Sequence, residues 1–232
     1  MSIPGLCEDG GMVAEDDGSI PGMRRWRGRS PADRVAGRRE QLIEACTELM
    51  ATVGAAETSM RGVCRQAGLT ERYFYESFAN LDALLTTVLD AVVLGARDRL
   101  LDALPTAPIE RDAMFRHLVG VFTDYLVEDR RRGRIMFVES QATPVLMPRA
   151  NELIGLFTAP IALTISAGDY SNAPPDEHDN ALNASAIFGA LAYLYRPWLD
   201  GEIPVPRARF DEHAATVLEH IARARSSVIT EA

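Results

Sequence analysis

The 232-residue chain contains no lysine; all 24 of its basic residues are arginine, a compositional bias with no functional message of its own. Cysteine is nearly as scarce, and Cys7, Cys46 and Cys64 share no metal-like spacing. His117, His178, His213 and His220 are scattered, with no pair four apart on one helix, so neither a metal site nor a cofactor is expected. No secretory leader is expected, because the first 22 residues carry five acids, no base and no apolar stretch. Their Gly, Asp and Glu content points to disorder. Long apolar runs are missing too. The longest uncharged stretches, Leu153–Gly168 and Asn180–Tyr195, reach 16 residues each, short of the roughly 20 that span a bilayer. A soluble cytoplasmic protein without a membrane partner is expected. No alternating strand pattern appears, which leaves an all-α fold. Nor are there Gly-x-Ser-x-Gly, His-Glu-x-x-His, Cys-x-x-Cys or phosphate-loop motifs, so an enzyme is not expected.

What is present is unevenly distributed. The net charge of −9 argues against a polyanionic partner only if it is averaged over the chain. Residues 24–39 hold seven arginines against one aspartate, between an acidic leader and an acidic remainder. The segment around Arg24, Arg25 and Arg27 has no apolar periodicity and reads as a flexible basic arm, able to follow phosphates or simply to stay solvated.

The segment Thr58–Phe78 carries the main signal. Val63 and Ala67 lie four apart, as do Phe74 and Phe78, so two short helices each offer one apolar stripe to a common core. Gly68 ends the first helix, Thr70 is placed to cap the second with its hydroxyl, and Glu71 puts negative charge in the second helix's first turn. With Phe74 and Phe78 inward, Arg72, Tyr73 and Glu76 point outward and Thr70 and Tyr75 sit at the margins. These side chains can reach base edges and phosphates. Upstream, Leu42, Cys46, Leu49 and Val53 mark an amphipathic helix that ends at Gly54. Downstream, Leu81, Leu84, Leu85, Val88, Leu89 and Val92 mark a long helix that follows almost at once.

This stretch resembles the TetR family of bacterial transcriptional regulators from Arg38 to about Leu85. The likeness rests on Gly54, Thr58-Ser59, Ala67-Gly68-Leu69-Thr70, and Tyr75 with Phe78. It implies a helix-turn-helix whose second helix enters the major groove, with Thr70, Arg72, Tyr73, Tyr75 and Glu76 as contact candidates. Ser59, Arg61 and the arm residues Arg24, Arg25 and Arg27 join them, and the Tyr75 hydroxyl would meet a phosphate. Where the family commonly has a lysine at the start of the fourth helix, this chain has Leu81 followed by Asp82.

The remaining chain reads as further helices. They run over about Glu110–Glu128 (Phe115, Leu118, Val119, Phe122 and Leu126 inward), Arg130–Gln141, and Ala150–Ala167 with a kink at Pro160; Gly168–Asp179 is a surface loop. From Ala181 to Tyr195 the sequence is apolar on nearly every side, and a final helix carries Phe210, Ala214, Val217, Leu218 and Ile221. Helices so apolar need covering on nearly every side, either by their own protomer or by a second copy. A homodimer interface is expected at Ala186, Gly189, Ala190, Tyr193, Val217, Leu218 and Ile221. The resemblance, more than any residue, implies a small-molecule effector of apolar or amphipathic character. Its candidate lining is Met114, Phe115, Phe122, Tyr125, Phe137, Gln141, Phe157, Phe188 and Tyr195, although aromatic stripes are also ordinary core.

Three units result: an acidic leader and basic arm (1–33), a helix-turn-helix domain (34–80) and a helical effector-binding and dimerisation domain (81–232). The expected role is a ligand-responsive repressor that binds a palindromic DNA operator as a homodimer. The rival is a helical ligand-binding or adaptor protein that keeps the head but has lost specific DNA binding.

Overall fold

A computed structural model describes residues 30–166 and 177–224, with Pro31, 157–166, Glu177, Asn180 and Ala181 as backbone only. Ten α-helices and no strand occur among the described residues. The first begins at a reciprocal cap: the Asp33 N–H donates to the Ser30 hydroxyl (3.0 Å) and the Ser30 N–H to the Asp33 carboxylate (2.9 Å). Helix α1 (Pro31–Thr52) buries Leu42, Cys46 and Met50. Val53, expected on the same stripe, is 51% exposed. The helix stops one residue before it, and Gly54 at φ +97° turns the chain away.

Helix α2 (Met60–Ala67) starts where the Ser59 hydroxyl accepts the Gly62 N–H at 3.1 Å and stops at Gly68, left-handed at φ +65°. Helix α3 (Glu71–Ser77) follows. Thr70 occupies its N-cap position, but the expected hydroxyl cap is not made. The Thr70 carbonyl takes the Tyr73 N–H at 3.0 Å in a tight first turn, so that donor is already satisfied. Phe74 and Phe78 pack with Val63, Leu42 and Cys46 to close the three-helix head.

Helix α4 (Leu81–Ala103) is capped by Asn80, whose side-chain oxygen accepts the Ala83 N–H at 2.8 Å, and it leaves α3 at 60°. It packs on α1 at one end and on the body helices beyond, so head and body share it. The body comprises α5 (Arg111–Glu128), α6 (Arg131–Arg134), a π-helical segment (Ile135–Glu139), α7 (Ser140–Ala142), α8 (Met147–Ser166), α9 (Glu177–Leu199) and α10 (Arg207–Ala222). The single helix expected over Arg130–Gln141 is thus one rod with a π segment at its centre. Helix α8 begins three residues earlier than expected, because Pro148 sits in its first turn, where a missing N–H removes no helical bond. Helix α9 extends past both expected ends and carries Pro197 near its end; of the expected Gly168–Asp179 loop, 168–176 lie outside the described residues and 177–179 are helical.

The α9–α10 connection is fixed by aromatics. The Trp198 indole N–H donates to the Val205 carbonyl (3.2 Å), and its ring stacks on Phe210 at 4.2 Å between centroids. Helix α10 then lies across α5 and α9. Among the described residues no single helix is long and apolar enough to cross a membrane.

Candidate nucleic-acid interface

The two aromatic anchors of α3 face the head core, Phe74 at 0% and Phe78 at 6% exposure, so the polar residues of this short helix are driven to its other sides. Arg72 projects furthest, with 85% of its side chain exposed. Tyr75 is 59% exposed and rests edge-on against Phe74. Thr70 is exposed at the helix start, and Arg61 projects from α2, its Nε donating to the Glu71 carboxylate at 3.3 Å. Ser59 is exposed, but its oxygen is already engaged as the α2 cap. Two of the expected outward residues are tied down instead. Tyr73 is half-buried because the Arg38 guanidinium of α1 lies 4.3 Å over its ring. Glu76 accepts from Arg38 Nη2 and from Arg72 Nε, each at 3.2 Å. Arg24, Arg25 and Arg27 lie outside the described residues.

Arg38 and its grip on α3 were not foreseen from sequence, although a signal existed. Arg38 stands four residues before Leu42 and eight before Cys46, on the apolar stripe of α1 itself. An arginine there must find an acid or a ring, and it finds both. Leu81 also has a local role: it packs against the core as α4 starts.

The head is joined to the body by polar contacts as well as by α4. Arg131 donates to Glu44 (2.6 Å) and Glu48 (3.2 Å) on α1 and closes a two-point bond with Asp129. These hydrogen bonds hold the Asp129 carboxyl below its ordinary range. Glu139, 5% exposed at the end of the π segment, accepts the Ala55 N–H at 2.8 Å and the Arg134 Nε at 3.2 Å. The same Oε2 that accepts the Ala55 N–H stands 3.4 Å from where a Cβ on Gly54 would be. Nothing in the sequence pattern announces a contact across 84 residues.

The family model of the bacterial regulatory proteins of the tetR family matches residues 42–88, the head and the first turns of α4. Over these residues the chain is similar to the TetR family. Solved structures share the fold over most of its length. The fatty acid degradation regulator FadR from Bacillus halodurans superposes with a TM-score of 0.67 at 16% identity, covering 86% of this chain and 100% of its own. A TetR-family transcription regulator from Shewanella sp. PV-4 gives 0.65 at 14% identity, covering 79% and 96%. FadR from Bacillus subtilis, in complex with stearoyl-CoA, gives 0.64 at 16% identity, also covering 79% and 96%. No curated protein matches the chain. The coarse role that follows is that of a DNA-binding transcription regulator.

In the body the residues expected around an effector are mostly core. Phe115, Phe122, Tyr125, Phe137 and Tyr195 are buried, Met114 and Phe188 are half-buried, and the Phe157 side chain lies outside the described residues. Apolar cavities lie between the body helices. One of about 20 Å³ is bordered by Leu89, Met136, Phe137, Ser140, Leu153 and Phe188, and one of about 40 Å³ by Leu100, Phe115, Val119, Phe122, Ile187 and Leu218. The polar handles expected for a ligand are used internally. The Tyr125 hydroxyl donates to the Val92 carbonyl at 2.8 Å, and Tyr195 shares a 2.7 Å bond with Thr123. Gln141 is exposed and borders neither cavity.

The expected dimer residues divide. Tyr193 is 83% exposed, Ala186 is exposed, and Gly189 and Ala190 are half-buried. Leu218 is a correction: it is buried at 7% exposure, because its side of α10 faces the protomer's own α5 core. Val217 and Ile221 are half-buried. Leu182, missed from sequence, is 68% exposed one helical turn before Ala186.

Proposed function

We propose that the chain is a homodimeric, ligand-responsive regulator, most simply a repressor, whose two heads read a near-palindromic operator. The observation that carries this is the outer side of α3, where Arg72 and Tyr75 project from a closed three-helix head. Two such helices entering successive major grooves need a separation of about 34–36 Å, which a two-fold dimer supplies. The second copy is proposed to cover α9, where Leu182, Ala186, Gly189 and Tyr193 recur at three- and four-residue spacing on one side of the helix.

The effector is proposed to be apolar or amphipathic. A relative of the same fold is solved with stearoyl-CoA, and the body's interior here is almost wholly apolar. Cavities of about 20 and 40 Å³ are far below the roughly 300–1,000 Å³ of a filled ligand site. An effector held at either would have to part the helices around it, and α4, which packs on α1 and on the body, would carry that displacement to the heads. The three units of the sequence reading, 1–33, 34–80 and 81–232, serve here as leader with arm, reader, and sensor with dimer contact.

The test is selection of bound sequences from a random duplex pool with the full chain, followed by a screen of acyl and aromatic compounds for release. A near-palindrome bound with log K falling by about 0.9 per phosphate neutralised supports the reading. Binding without sequence preference at any salt concentration overturns it in favour of an adaptor that keeps only the fold.

A further inference from the structure

The recognition helix of a DNA reader is an unfavourable place for a carboxylate, since the duplex is a dense polyanion. Glu76 nevertheless sits on α3 beside Arg72, and its surroundings explain how it is tolerated. One carboxylate oxygen accepts from Arg72 Nε at 3.2 Å and the other from Arg38 Nη2 at 3.2 Å. The three side chains grade from interior to solvent: Arg38 is 21% exposed, Glu76 34% and Arg72 85%. Arg38 is itself fixed, its guanidinium 4.3 Å over the Tyr73 ring. Two positive charges thus flank one negative charge, and the outermost positive group belongs to the most exposed residue on the helix.

The geometry at Arg72 decides what this arrangement can do. Glu76 engages Nε, on the flank of the guanidinium, and among the described residues Nη1 and Nη2 have no partner. Those two nitrogens form a fork that matches the O6 and N7 acceptors of a guanine in the major groove. A free arginine loses side-chain entropy when it docks, whereas one held at Nε by a carboxylate has much of that freedom removed beforehand. Arg38 in turn neutralises Glu76, so the buttress does not repel phosphates. We propose that Glu76, pinned to α1 by Arg38, is a positioning residue that presents the Arg72 fork to one guanine in each half-site. This rests on the DNA-reading role above and narrows it. Glu76 then does not read a base itself, as accepting from a cytosine amino group would require.

The experiment compares the full wild-type chain with Arg72→Ala, Glu76→Gln and Arg38→Gln, each shown folded by circular dichroism, in selections from a random duplex pool. Wild type should prefer one guanine per half-site by about tenfold or more. Arg72→Ala should erase that preference. Glu76→Gln should weaken it at the same base position, and should change nothing further in the Arg72→Ala background. Arg38→Gln should do the same with the salt slope intact, because Arg38 touches no phosphate.

A changed preference at a different position in Glu76→Gln, or none at all, overturns the buttress and leaves the DNA reading standing. A salt slope lowered by about 0.9 in Arg38→Gln makes Arg38 a phosphate contact and overturns it as well. If wild type shows no sequence preference, this inference and the DNA-reading role fall together.

Discussion

Glu139 illustrates how much one buried carboxylate can hold. It joins the π segment to the first residue past the head's Gly54 turn, and among the described residues Ala55 N–H has no other partner. Glu139→Ala should leave that buried donor and Arg134 without their acceptor, at a cost of about 1–3 kcal/mol. Glu139→Gln, which keeps a carbonyl oxygen of the same shape, should cost less, and urea-unfolding midpoints would rank the pair. A second case lies in the body. The Thr123 hydroxyl donates to the Asp211 carboxylate at 2.7 Å and must therefore accept from Tyr195, whose oxygen is 2.7 Å away. Burial also pushes the Tyr195 phenol's pKa up, so it stays a neutral donor across the ordinary pH range. Thr123→Val strands both partners and should cost about 1–3 kcal/mol, whereas Tyr195→Phe removes only the end of the chain and should cost about 0.5–1.5 kcal/mol. Equal losses in the two variants would refute the assigned direction of donation. Neither network is legible in the sequence, since its members stand 72 to 88 residues apart and no local pattern ties a threonine to an aspartate on another helix.

At the scale of elements the sequence speaks more clearly, because a helix repeats its message every turn. The stripes of α3 and α5 reappear as buried residues, α2 buries Val63 and half-buries Ala67, and Ser59 and Gly68 bound α2 as their chemistry requires. Misreadings cluster where a tertiary partner overrides periodicity: Tyr73 is claimed by Arg38, and Leu218 by the α5 core. The π segment was invisible because its side chains fit a helix of either pitch. Close approach of elements was also hidden. On α4, Gly95 faces the Tyr125 hydroxyl so closely that a Cβ would stand 2.7 Å from that oxygen. Gly95→Ala should gain at most about 1 kcal/mol of helix propensity. It must push back a ring whose hydroxyl is bound to Val92, which costs about 1–3 kcal/mol. The net change should be destabilising. Gly120→Ala on α5, where no atom comes within 4 Å of a built Cβ, should be neutral or stabilising by up to about 1 kcal/mol. Thermal melts of the two variants test the contrast, and a stabilised Gly95→Ala would show that α4 and α5 are looser than drawn here.

For the whole molecule the open question is what covers α9. A protomer that leaves Leu182 at 68% and Tyr193 at 83% exposure on one largely apolar helix presents a surface of the kind that marks a protein contact. Gly189 lies between them, and among the described residues no side chain comes within 4 Å of where a Cβ there would be. This position therefore separates folding from assembly. Gly189→Ala removes a flexible residue from a helix interior, so the isolated protomer should be stabilised by up to about 1 kcal/mol. If a second α9 crosses at this point, each added methyl enters the contact twice by two-fold symmetry, and dimerisation should weaken while the protomer gains. Tyr193→Glu is the stronger version, burying two unpaired charges in the same contact. Sedimentation equilibrium should show Tyr193→Glu dissociating at concentrations where wild type is dimeric. Operator affinity should fall with it towards that of a single half-site, because one head alone keeps only half of the base and phosphate contacts. Wild type sedimenting as a monomer, or Tyr193→Glu remaining dimeric, would move the interface off α9 and leave its exposed apolar residues in need of another partner.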